Sequence, residues 1–131
     1  MGHYSDEPGS QQNPFPLRWF YPDTVNFIGF VGNLSSRKLV RSALDAFRRH
    51  ASFRAEGAAV PEQIPGVGWS DHWSFWQAGY RVIMVTDTAF YRYAHYHTKG
   101  DTPDKVDYES TARVVAGLAG VIADLASAAD G

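Results

Sequence analysis

Apolar positions along the chain recur in two rhythms, and the alternation between them outlines a fold. Thr24 to Val31, Phe53 to Val60 and Arg81 to Thr86 are short apolar-rich runs bounded by Gly, Asn or Pro, the pattern of strands. The second is the weakest of the three. Between them the period lengthens. From Ser35 or Ser36 as N-cap, SSRKLVRSALDAFRRHA sets Leu39, Val40, Ala43, Leu44 and Phe47 on one helical face. HWSFWQA predicts a short helix that begins at Ser70 or Asp71 and ends at Gly79. Asp107 then caps a last helix with Tyr108, Ala112, Val115, Leu118, Ile122 and Leu125 at helical spacing. Strand, helix, strand, helix, strand, helix predicts an α/β fold with a mostly parallel sheet flanked by helices.

The uninterrupted run Val82-Ile83-Met84-Val85 predicts a strand covered on both faces. The loop after it, up to Pro103, then leaves from a strand's carboxyl end, the edge at which open α/β sheets bind ligands. That loop carries Asp87, His95, His97 and Asp101.

Composition narrows the picture. With 131 residues, 44% hydrophobic and 15% aromatic, the chain can fill one core and not two. We therefore read residues 1–131 as a single, partial domain, residues 1–23 forming an N-terminal loop segment and 24–131 the α/β body. In the loop, Phe15, Leu17, Trp19, Phe20 and Tyr21 are too apolar for water, so it is expected to pack on the body. A formal net charge of −2 gives no reason to expect nucleic acid or an anionic membrane as partner. The longest apolar run, Val114 to Ala123, is far short of a membrane span. No cysteine is present, which excludes disulfide and thiolate chemistry and leaves a histidine–carboxylate metal site open. MGHYSDEPGS has no apolar targeting segment and, with Asp6, no myristoylation motif, so no compartment can be read.

His95-Tyr96-His97-Thr98, followed by Asp101, gathers donors that suit zinc. Two histidines at i, i+2 of an extended loop point to opposite sides, so one of them faces a given site. Asp71 at the start of a helix is, on its own, a cap.

Three ordered motifs carry more than any one of them. Ser70-Asp71-His72-x-x-Phe75-Trp76-x-x-Gly79, then Val85-Thr86-Asp87-Thr88-Ala89, then Tyr96-His97-Thr98-x-x-Asp101-Thr102 closely resemble the C-terminal half of the zinc-dependent aminopeptidases of metallopeptidase family 28, which also includes glutaminyl-cyclase-like enzymes. The resemblance implies a sheet flanked by helices, a pair of zinc ions and a peptide substrate. It makes His97 a zinc ligand. It sets Asp71 and His72 beside the substrate cleft, substrate-facing or just behind the ligands, and gives Asp101 the role of orienting the loop or the His97 ring.

The chain lacks the family's His-x-Asp ligand pair and the Glu-Glu pair that supplies its general base. Met1-Gly2-His3-Tyr4 resembles the turn that follows a further carboxylate ligand, so the resemblance starts just after that ligand. A two-zinc hydrolase needs several ligands and a base, and this polypeptide alone is expected to be inactive. A cyclase-like aminoacyltransferase scaffold and a non-catalytic interaction module are the alternatives. If the sheet continues elsewhere, self-association through an exposed sheet edge is also expected.

Overall fold

A computed structural model describes residues 2–11 and 23–129. The aromatic group from Phe15 to Tyr21 lies outside the described residues. Among the described residues there are three strands: β1 (Ile28–Gly32), β2 (Ala55–Ala59) and β3 (Ile83–Thr86). Four helices accompany them: α1 (Arg37–His50), α2 (His72–Gln77), α3 (Ala89–Arg92) and α4 (Tyr108–Ala129). Short 3₁₀ turns precede α1 at Leu34–Ser36 and α4 at Pro103–Lys105.

The sheet order is β2-β1-β3. β1 and β2 are parallel, with Ile28 opposite Ala55 and Gly32 opposite Ala59. β3 runs against β1, Thr86 opposite Gly29 and Ile83 opposite Gly32. The sheet is therefore mixed, and "mostly parallel" holds for the β1–α1–β2 crossover alone. The two connections are of nearly equal length, and the difference lies in what they contain. Between β2 and β3 lies only the six-residue α2 and turns, and α2 does not carry the chain back across the sheet as α1 does.

α1 forms as its spacing predicts, with Val40, Ala43, Ala46 and Phe47 buried and Leu44 packed on the same cluster. Its cap differs from expectation. Asn33 Oδ1 accepts the Ser36 amide at 2.9 Å, while Ser36 makes no side-chain cap bond. The core joins Ile28 and Phe30 of β1, Ala55 of β2, Phe47 of α1, and Val114 and Val121 of α4. The rings of Phe30 and Phe47 are 5.3 Å apart. Phe47 is fully buried, and burial of such a side chain stabilises by about 1.5–3 kcal/mol. α4 approaches α1 closely enough that a methyl on Gly117 would sit 2.6 Å from Phe47, so this crossing requires glycine.

Two expectations about faces are corrected. β3 is half-buried throughout rather than covered on both sides. Ile83 and Val85 pack against the core, while Met84 and Thr86 line an apolar cleft on the opposite face, shared with Gly29, Val31 and the 60–67 loop. On α4 the inward residues are Ser110, Val114, Gly117 and Val121. Tyr108, Val115 and Ile122, from the stripe read in the sequence, point outward with exposures of 63%, 59% and 69%. Leu118 and Leu125 sit at the seam. An all-round apolar helix has no period strong enough to choose its inner face. By length and composition α4 also reaches what a membrane crossing needs.

Candidate functional site

The antiparallel β3 changes which edge the predicted site occupies. Its carboxyl end pairs with the start of β1, so the loop after β3 leaves at the amino end of the parallel pair. The strand-end argument for ligand binding does not apply to it. What builds a site there is a second piece of chain, Gly2 to Tyr4.

Asp87, directly after β3, is 2% exposed. Its Oδ2 accepts the amides of Gly2 at 2.8 Å and His3 at 3.4 Å. The Gly2 carbonyl accepts the Asp107 amide at 2.7 Å. The His3 carbonyl accepts Arg92 Nη1 at 3.4 Å. That same nitrogen donates to the carbonyls of Val25 at 2.7 Å and Phe27 at 3.3 Å. Arg92 Nε donates to Gln11 Oε1 and Thr88 Oγ1, and its guanidinium lies 4.7 Å over the Phe27 ring. One arginine thus ties α3 to the entry of β1 and to the N-terminal segment. Burial lowers its pKa to about 10, opposed by the charge of Asp87. Burial, with Asp87 next, pushes the Tyr4 phenol up to about 12.

Beyond α3 the chain turns repeatedly, Tyr96 N–H to Tyr93 O, Thr98 to His95 and Asp101 to Thr98, each at 3.0–3.1 Å. Thr88 and His97 take left-handed backbone angles, φ +55° and +56°, a conformation that costs a residue with a side chain about 1–2 kcal/mol. Such strain concentrates where surrounding structure fixes a functional side chain. At His97 it turns the exposed ring onto Tyr96, ring centres 4.0 Å apart.

The result is a cavity of about 250 Å³ walled by Gly2, His3, Asp87, Tyr93, Tyr96, His97, Asp101 and Lys105 with Ala89 and Val106. Pockets for drug-sized ligands run to about 300–1,000 Å³, so this one admits a single side chain. The His3 ring stands 5.0 Å from Tyr93. Withdrawal from water, then the neighbouring Asp101 carboxylate, hold the Tyr93 phenol above its ordinary pKa.

His97 and Asp101 therefore share one cavity. His95 crosses Tyr93 at 5.5 Å, edge to face. Asp71 and His72 form no wall of the cavity. Asp71 is exposed and makes no cap bond. His72 is buried, its Nε2 2.5 Å from the Val67 carbonyl and its ring 4.5 Å from Trp76. Two residues along, Pro65 accepts the Tyr91 hydroxyl at 2.7 Å, which ties this loop to α3. His72 thus holds a loop by way of a backbone carbonyl. His3, Tyr93 and Arg92 were not singled out from the sequence. For Arg92 the available signal was a lone cation among aromatics just past an apolar strand, FYRY.

Among the described residues, no three His, Asp or Glu side chains are grouped to hold a metal ion.

The comparisons place this strand–helix–strand unit and its histidine-bearing loop in a family. The model of peptidase family M28 matches residues 23–122, and the chain belongs to that family. It is 40% identical over 119 residues to the uncharacterized protein YfbL of Escherichia coli (strain K12), an alignment covering 90% of this chain and 37% of that protein. The chain thus spans little more than a third of the length of this curated relative. No solved structure matches it significantly.

Proposed function

We propose that this polypeptide is part of a zinc-dependent exopeptidase that hydrolyses N-terminal peptide bonds, and that it contributes one metal ligand, His97. The observation that supports this most is the turning of His97, in a strained backbone conformation, to the cavity it shares with Asp101 and His3, in a chain of the M28 family. Asp101 serves to orient the His97 loop. Asp71 and His72 act from α2, His72 by fixing the 65–67 loop rather than by touching substrate.

The donors described here do not make up a zinc site. A catalytic zinc takes three protein ligands and a water, and no three His, Asp or Glu side chains are grouped among the described residues. No hydrolytic step is therefore assigned to these residues alone. The two-ion centre of the complete enzyme needs ligands and a general base from beyond this chain, and such a base is typically worth about 10²–10⁴ in rate.

The test is release of a chromophore from an aminoacyl anilide. The 131-residue chain with excess zinc should give no turnover, and zinc titration should show weak binding that His97→Ala removes. Adding the preceding part of a longer family member, in cis or as a separate chain, should produce chelator-sensitive turnover. Chelator-sensitive hydrolysis by the chain alone overturns the assignment, and cyclisation of an N-terminal glutamine in place of hydrolysis moves it to the aminoacyltransferase class.

A further inference from the structure

His97 is held by a turn that closes on itself, and the side chain that closes it is a histidine to which the cavity gives no role. The left-handed backbone of His97, φ +56°, is disfavoured for any residue with a side chain and persists only where neighbouring structure fixes it. Among the described residues no helix or strand covers 93–102, so the fixing is local.

Thr98 supplies part of it. Its amide and its hydroxyl both donate to the His95 carbonyl, at 3.0 and 2.8 Å. Its Oγ1 accepts the Gly100 amide at 3.2 Å, and its carbonyl accepts the Asp101 amide at 3.1 Å. These bonds draw residues 95 to 101 into a tight coil with His97 at its centre. The His95 ring then lies across the coil. It meets Tyr93 edge to face at 5.5 Å, and it sits so near Gly100 that a methyl added there would come within 2.6 Å of Nδ1 and 3.4 Å of Cε1. Gly100 takes no positive φ, so the reason for glycine there is room. The imidazole fills the space that any side chain at 100 would need.

We propose that His95 is a positioning residue: its ring, seated on Gly100 and Tyr93, closes the 95–101 turn and sets the direction from which His97 enters the cavity, while His95 itself holds no metal. Tyr93 is a wall of that cavity, so the same ring ties the turn to the surface His97 faces. Placement separates the two histidines, since His97 lines the cavity and His95 does not. The seat on Gly100 calls for a flat ring and uses neither ring nitrogen, so a phenyl group serves where a methyl fails. That His97 goes on to take zinc rests on the peptidase reading. The closing of the turn does not.

The experiment uses the 131-residue chain with His95→Ala, His95→Phe, Gly100→Ala and the double variant of His95→Ala with Gly100→Ala. Backbone carbon shifts of His97 report its left-handed conformation, and amide exchange at Thr98, Gly100 and Asp101 reports the turn. Calorimetry with zinc chloride reads the affinity of His97. His95→Ala should move the His97 shifts to ordinary loop values and speed the three amides relative to those of α1, with the thermal midpoint unchanged because His95 is exposed. Gly100→Ala should do the same by pushing the ring away. The double variant should be no worse than either single one, because both remove one contact, and His95→Phe should resemble the parent. Zinc affinity should fall about tenfold in His95→Ala and Gly100→Ala, the scale on which groups behind a metal ligand act, and hold in His95→Phe.

His97 shifts unmoved in His95→Ala or in Gly100→Ala overturn the proposal, and so does a double variant whose effect is the sum of the two. Zinc binding lost in His95→Phe as fully as in His97→Ala would make His95 a ligand and overturn it as well. A parent that binds no zinc, yet loses the left-handed shifts on His95→Ala, would uphold the positioning role and remove His97 from the peptidase reading.

Discussion

The helix-covered face of the sheet and the end from which β3 leaves are held by different physics. On the face, Phe30, Phe47, Ala43, Val114 and Val121 exclude water through shape and area, with no polar group among them. At the end, a few hydrogen bonds on two buried charged side chains, Asp87 and Arg92, fix the N-terminal segment that walls the cavity. Apolar burial is non-directional and tolerates small shifts. A buried carboxylate with two amides is directional and fails when either side is removed. The contrast suits their tasks, since the face needs bulk stability and the cavity needs His3 and His97 set in a fixed relation.

Four perturbations would break or sharpen that contrast. Phe47→Ala, emptying the centre of the face, should cost about 3–5 kcal/mol in a denaturant titration, with cooperative loss of the whole domain. Asp87→Ala strands the Gly2 and His3 amides at about 1–3 kcal/mol for each buried donor left unpaired. Its signature should be local, with amide exchange at residues 2–4 accelerating more than exchange in α1. Uniform acceleration would show that the two regions form one cooperative unit.

Tyr4→Phe should be milder and should stabilise. The Tyr4 hydroxyl is buried without a partner, and its removal returns about 1 kcal/mol. The pH dependence separates it from Arg92. A phenol at about 12 in the fold and 10.0 unfolded contributes stability that is complete below pH 10 and lost between pH 10 and 12, because the unfolded chain ionises first. Arg92, lowered by burial to about 10 in the fold, has the opposite sign, and stability rises with pH across that window. The two offset one another in the parent. In Tyr4→Phe the Arg92 rise alone should remain, read as urea midpoints at successive pH values.

The smallest effect belongs to the exposed pair between α1 and α4. Hydrogen bonds from Arg49 and then His50 hold the Asp124 carboxyl below its ordinary value. Its stabilisation is therefore present above the usual carboxylate range and lost as pH falls through it. Asp124→Asn should flatten that acid limb slightly at low salt and not at all at high salt.

Periodicity by itself determined a good part of this protein. The α1 face from Val40 to Phe47, the Asp107 cap, whose Oδ1 accepts the Ser110 amide at 3.0 Å, and the existence of all three strands are local properties, written in spacing and cap chemistry. The three-motif pattern also led to the M28 family without coordinates. Tertiary structure alone decided the rest. Strand direction depends on where a connection lands, so β3 could read as a parallel strand and fold antiparallel. The inner face of α4 depends on which apolar stripe meets Phe47, and glycine at 117, invisible to a hydrophobicity pattern, settled it in favour of Val114 and Val121. The cavity joins His3 to His97 across 94 residues through Asp87 and Arg92, and a contact between segments so distant leaves no period for a sequence to display.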